Sequence, residues 1–192
     1  MCENDRWFFL MQTLKAHRIL LQHGVLPKDA VSLDNITPYK NTEIEELHCY
    51  GSDEESAFRR FIWKIGDVRY FTPRIVLKDI DKSAQTVLLI CNVLFYSAIE
   101  EKVIRHVADG FPGCRIYVKP HPAHPFDVYR RLAKTCPIVL VTDPYFYPRT
   151  DVVVAYHSSL ASQYEEQGIV PIYHTDVSES ELLGCLDKCL SS

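Results

Sequence analysis

The sequence predicts an α/β protein: a Rossmann-like parallel sheet with helices on both faces, plus an irregular, mainly helical N-terminal region. Three observations carry this. From Thr86 onward, short apolar runs such as TVLLIC and DVVVAY alternate with amphipathic stretches of helical period. Those runs are apolar at successive positions, as strands covered on both faces are. The first 82 residues lack the alternation and contain Pro27 and Pro38 within a polar stretch. Two parts are therefore expected: residues 1–82, an extension or the remnant of a second domain, and residues 83–192, the Rossmann-like domain.

Taken in order, Asp5–His23 reads as a helix, with Trp7, Leu10, Met11, Leu14, Ile19 and Leu21 giving an apolar face and Gly24 as its stop. Residues 25–52 read as loops with short strands. Ser52-Asp53-Glu54-Glu55 has the form of a capping box opening a helix through Phe58, Phe61, Ile62 and Ile65, ended by Gly66. Then follow a strand at Thr86–Cys91, a helix at Ser97–Gly110, a strand at Arg115–Lys119 and a helix at Pro125–Lys134 with proline in its first turn. Strands are expected at Ile138–Thr142 and Asp151–Tyr156. The helix Ser158–Gly168 has serine and glycine at its two ends. A strand at Ile169–His174 and a helix at Ser178–Leu190 close the chain. Between Ile138–Thr142 and Asp151–Tyr156 lies only DPYFYPRT, too short for a crossover helix. It is either a tight turn structure or a jump in strand order.

Composition narrows the function. In 192 residues, 47% are apolar and the formal net charge is −4, so a packed core forms but no basic face suits a nucleic-acid backbone. No run reaches the length of a membrane span, and the polar, acidic start does not read as a secretory signal. The seven cysteines are odd in number and contain no CxxC pair. Reduced thiols in a cytoplasmic protein are the expectation, with no metal centre.

In open α/β sheets, ligands bind outside the carboxyl ends of the strands. Asn92 follows the first strand of the domain, Pro120-His121-Pro122 the second, Asp143-Pro144-Tyr145 the third and His157-Ser158-Ser159 the fourth. If the strands are parallel, one edge collects imidazole, hydroxyls and the start of a helix. A phosphate suits that set. Unpaired amides at a helix start favour negative charge, and the Ser158 and Ser159 hydroxyls add donors. His121 can bind a phosphate oxygen and, when protonated, give it a proton. Each group also has a plainer role. Ser158 is a natural N-cap, His121 and His124 are loop histidines, Lys119 can face either side of the sheet, and Tyr145, Phe146 and Tyr147 can be rim aromatics.

The His121-Pro122 dipeptide after one strand, with Ser158-Ser159 opening a helix 36 residues beyond Pro122, resembles the C-terminal, donor-binding half of GT-B glycosyltransferases that use CMP-activated sugars. These are the bacterial sialyltransferases, polysialyltransferases and capsule Kdo transferases. The segment SSLASQYEEQGIVPIYH is also similar to the wider GT-B ending, and the likeness runs from about Thr86 to the C-terminus. It implies that His121 contacts the CMP phosphate and acts as general acid to the leaving group, while Ser158 and Ser159 hold the same phosphate. It implies further nucleotide-binding roles for Lys119, Pro122, Asn92, Asp143, Tyr145 and His157. Glu165 or Glu166 would touch the ribose, although two helical turns separate Glu165 from Ser158.

The implied function is transfer of a sugar such as sialic acid from a CMP-linked donor to a glycan or glycolipid acceptor, without a metal cofactor. The implied setting is cytoplasmic or peripheral to the inner face of the membrane. A full GT-B enzyme has two Rossmann-like halves, and this sequence has room for one. A dimer partner or second chain would then complete the cleft. The family's base lies in an acidic motif followed by glycine; Asp53-Glu54-Glu55 lacks that glycine. Two alternatives stand beside this reading: a GT-B-like UDP-sugar 2-epimerase, and a non-catalytic nucleotide-binding or scaffold domain.

Overall fold

In a computed structural model, residue 13 and residues 15–22, 42–91, 97–122 and 125–191 are described. Two compact units divide the chain, Met1–Pro73 and Arg74–Ser192. Residues 74–82, on the N-terminal side of the expected division, supply Ile75 and Leu77 to the core of the second unit.

Among its described residues, the first unit is not mainly helical. Its strands β1 (Ile19–Leu21), β2 (Glu43–Cys49) and β3 (Lys64–Tyr70) form a parallel sheet in the order β1-β2-β3, with helix α1 (Ser52–Phe61) between β2 and β3. The expected helix to His23 is thus corrected at Ile19–Leu21. Leu20 is buried while Ile19 and Leu21 point outward, an alternation that a strand satisfies and a helix does not. Residues 5–12 and Gly24 lie outside the described residues. Strand–helix–strand alternation is present in residues 43–70, where none was read. It was obscured because β2 contains EIEELHC, whose apolar spacing is irregular.

That irregularity has a structural cause. The amides of Glu45 and Glu46 both donate to the Arg18 carbonyl, at 3.0 and 3.1 Å, so the chain twists locally there and the alternation shifts, while β2 stays in step with β3 on either side, Ile44 opposite Ile65 and Glu46 opposite Asp67. Ile44 and Leu47, three apart, can then both face a core with Leu20, Cys49, Phe58, Phe61 and Ile62. The Arg18 guanidinium grips the Glu45 carboxylate in a fork, at 2.6 and 3.0 Å. Hydrogen bonds from Arg18 lower the Glu45 carboxyl from its ordinary value near 4.5 to about 2.

Two local expectations fail here. Helix α1 starts from Gly51 with no side-chain cap, so Ser52–Glu55 forms no capping box. Its acidic first turn still complements the helix dipole. Gly66 ends no helix; it sits within β3, where a Cβ would lie 2.3 Å from the Glu45 carbonyl oxygen. Only the absence of a side chain permits this close approach to β2.

The second unit confirms the parallel sheet. Its strands are β5 (Thr86–Ile90), β6 (Arg115–Lys119), β7 (Ile138–Leu140), β9 (Val152–Ala155) and β10 (Pro171–Tyr173). They are ordered β10-β9-β5-β6-β7, and every pairing is parallel. Helices α2 (Ser97–Gly110), α3 (Phe126–Leu132) and α5 (Glu179–Leu190) bury Ile104, Val107, Leu132, Leu182 and Leu186 against Val87, Leu89, Val118 and Val154. Helix α4 (Ser159–Glu166) covers the other face, with Ala161 and Tyr164 on Leu88, Val153 and Ala155.

The short DPYFYPRT connection is the jump in strand order. The chain leaves β7 at one edge and returns on the far side of β5. It crosses as an extended strap whose strand β8 (Tyr147–Pro148) pairs with β4 (Leu77–Lys78). Tyr164 on α4 donates its hydroxyl to the Pro148 carbonyl at 3.1 Å, tying strap to helix. Among the described residues, no helix is long and apolar enough to cross a membrane.

Gly66→Ala is expected to destabilise the first unit by about 2 kcal/mol, the usual scale of overpacking. Urea unfolding followed by the fluorescence of Trp63 measures it, and an unchanged midpoint would contradict the close approach.

Candidate functional site

The sheet order reverses at β5. From β5 the chain moves outward through β6 to β7, then crosses back to β9 and outward to β10. In such a sheet the crevice for a ligand opens between the strands flanking the reversal, at their carboxyl ends. These are β5 and β9. The parallel register places Ile90 opposite both Lys119 and Ala155, so the exits of β5, β6 and β9 stand in one row.

On the β9 side, Tyr156-His157-Ser158 leads directly into α4. Ser158 is the N-cap, and its hydroxyl oxygen accepts from the Ala161 amide at 3.2 Å. The plain reading of Ser158 therefore holds. The cap occupies the Ala161 amide, whereas the Ser159 hydroxyl has no hydrogen-bond partner among the described residues. The helix dipole favours an anion at this end.

His157 does not stand alone. Its Nε2 meets both Asp176 oxygens, at 2.9 and 3.1 Å, and its ring stacks on Tyr173 at 4.0 Å. Tyr156 meets His174 edge-on at 4.3 Å. Two crossed tyrosine–histidine pairs thus brace the exits of β9 and β10. Asp176 and Tyr173 were missed by the sequence reading. Their signal was the run IYHTD at the end of the last strand, which carries imidazole, phenol and carboxylate within five residues.

On the β6 side, His121 is half-buried two residues beyond the strand and Pro122 is exposed. His121 and Ser158 flank β5, separated by two strand spacings, roughly 10 Å. A phosphate and its hydrogen bonds can span much of that gap. Asn92 and His124 lie outside the described residues.

Lys119 resolves to one face and to one task. It is 7% exposed, and its ammonium donates to the carbonyls of Asp143, Pro144 and Phe146 at 3.1, 3.1 and 3.0 Å. Its nitrogen also lies 4.7 Å from the centre of the Tyr147 ring. Burial lowers its pKa from the ordinary lysine value. All three protons are committed to the loop, so Lys119 builds the loop instead of offering a charge to a ligand. The Asp143 carboxylate accepts from the Tyr145 amide at 2.8 Å, and Tyr145 itself is 80% exposed.

Glu165 is not brought to this edge. It lies in the last turn of α4, seven residues from Ser158 and so about 10 Å along the axis. Glu166 is exposed beside it. Asp53, Glu54 and Glu55 occupy the first turn of α1 in the other unit, where Glu55 is held by Arg59 at 2.7 Å and by the Tyr70 hydroxyl.

A shallow pocket of about 320 Å³ lies elsewhere, between α2 and α5, with Lys102, His106 and His174 on its wall. Its basic side chains are already engaged: Lys102 pairs with the Glu179 carboxylate, and His106 contacts the Glu179 carbonyl at 2.9 Å. Burial holds the His174 imidazole below its ordinary pKa. The pocket is thus a poorer anion site than the row of strand exits.

No protein-family model matches the sequence, and no curated protein matches it.

Lys119→Met is expected to leave three carbonyls without their donor and to lower stability by about 2–3 kcal/mol, the scale for hydrogen bonds to a charged group. Thermal unfolding tests this. Wild-type stability in the variant would show that the ammonium does not hold the loop.

Proposed function

We propose that the second unit binds the nucleotide of an activated sugar and serves as the donor-binding part of a glycosyltransferase, with a CMP-linked sugar as donor. One observation carries the reading: the α4 start with Ser158-Ser159 and the half-buried His121 flank the central strand β5 on its carboxyl side, where the strand order reverses. The likeness to CMP-sugar GT-B enzymes, drawn from the same residues, supplies the choice of nucleotide.

The chemistry follows from the groups. In transfer, the bond between the anomeric carbon and the donor phosphate oxygen breaks, and a bond to the acceptor oxygen forms. The departing phosphate gains negative charge as this happens. Amides at the α4 start and the Ser159 hydroxyl would stabilise that charge, and protonated His121 would give the phosphate oxygen a proton. The acceptor hydroxyl loses its proton to a base. The acceptor would be a surface glycan or glycolipid, reached in the cytoplasm or at the inner face of the membrane. A dimer partner or second chain would complete the acceptor side. No step assigned here calls for a metal ion.

Calorimetric titration with CMP, CDP and UDP tests the reading. CMP is expected to bind most tightly, with affinity falling about tenfold or more in His121→Ala and in Ser158→Ala/Ser159→Ala, as loss of charge-assisted hydrogen bonds requires. Equal CMP binding by wild type and both variants would remove the site. Preference for UDP, with interconversion of UDP-sugar epimers, would favour the epimerase. No nucleotide binding would favour a scaffold role.

A further inference from the structure

The loop after β7 is unusually well fastened for one so exposed. Thr142, Asp143, Pro144 and Tyr145 are all exposed to solvent. Yet the Tyr145 amide donates to the Asp143 side chain at 2.8 Å, and the Phe146 amide donates to the Asp143 carbonyl at 3.2 Å. Pro144 restricts the backbone between them. Beneath, the buried Lys119 ammonium takes three of the loop's carbonyls. Among the described residues no carboxylate lies within ion-pairing distance of Lys119. A buried ammonium held by three carbonyls and a tyrosine face, with the Asp143 carboxylate beyond ion-pairing distance, is a costly way to shape a turn. Beyond the loop, the strap is held by β4 pairing and by the Arg149 amide, which donates to the Lys78 carbonyl at 2.8 Å.

What this fastening presents is Tyr145. The residue is 80% exposed, in the loop whose carbonyls meet Lys119, the last residue of the strand that leads to His121. A tyrosine with two side-chain torsions on a fixed backbone loses little freedom on binding, so its flat face is available at low entropic cost. The loop offers little else. Of the carbonyls that could accept from a base's amino group, those of Asp143, Pro144 and Phe146 already accept from Lys119.

We infer that Tyr145 is a stacking platform for the nucleobase of the bound nucleotide, that Lys119 is the residue positioning it, and that the platform adds affinity without selecting among bases. The inference rests on the nucleotide-binding reading above. Lys119 is the β6 residue opposite Ile90 of β5, so the loop it holds lies within one to two strand spacings, roughly 5–10 Å, of a phosphate held over β5. A nucleoside monophosphate with the tyrosine side chain spans that distance. Stacking accepts any base, because every base has a π-face. Selection among CMP, UMP and AMP then belongs to other groups at the edge.

The test is a set of calorimetric titrations of the full chain with CMP, UMP, AMP and ribose 5-phosphate, which lacks a base. Tyr145→Ala is expected to weaken all three nucleotides by a similar factor, about tenfold on the scale of base–aromatic stacking, and to leave ribose 5-phosphate unchanged. Tyr145→Phe is expected to retain wild-type affinities. Lys119→Met is expected to lose the nucleotide advantage while keeping ribose 5-phosphate binding; a merely structural role would weaken all four ligands alike. Nucleotide binding unaffected by Tyr145→Ala, or weakened for one base alone, overturns the platform and leaves the nucleotide site standing. Absence of nucleotide binding in the wild-type chain overturns both.

Discussion

Strand β5 is the constraint on which the second unit depends. Val87 and Leu88 are wholly buried, Leu89 and Ile90 nearly so, and the strand is paired in parallel on both edges. A parallel neighbour requires a crossover. With β6 on one side and β9 on the other, the chain must leave β5 in one direction and later cross it. The crossing forces the extended strap, and the reversal opens the crevice between strand exits. At the amino edge, the Thr86 amide and hydroxyl donate to the Asp151 carboxylate at 2.8 and 2.6 Å, fixing the register of β9 on β5. The position of the α4 start relative to His121 follows from that register.

The strap shows how a missing helix is replaced. A parallel sheet needs both faces covered. On the face of α4, residues 75–80 and 146–148 supply apolar cover through Ile75, Leu77, Phe146 and Tyr147. The strap stays in place through Tyr164, through its pairing with β4 and through Lys119. Lys119 is thus both part of the sheet and part of the strap's support, which explains how a charged side chain can be buried at a strand end.

Much of this was legible in the sequence. Strand and helix runs from Thr86 onward appear where their apolar patterns put them, because each strand is short, continuous and bounded by polar turns. Ser158 caps α4 as its type and place suggested, and the shortness of DPYFYPRT disclosed an irregular crossing. The first unit was less legible for physical reasons. The local twist at Glu45–Glu46 shifts the alternation of β2, and Gly66 is required by a backbone contact with a residue 21 positions away. In the site, Lys119 and Glu165 have the right chemistry, but orientation decides their roles. One turns beneath the strap, and the other lies in the last turn of α4. The first cannot be read from residue type, whereas the second follows from the helical spacing between Ser158 and Glu165.

The central claim is that an anion binds where the α4 start and the β6 exit flank β5. The most direct measurement is a CMP titration followed by amide chemical shifts of the isotopically labelled chain. The account predicts the largest changes at Ser159, Leu160 and Ala161 and at His121, saturating together. Saturating changes confined to Lys102, His106 and His174, in the pocket between α2 and α5, would contradict it.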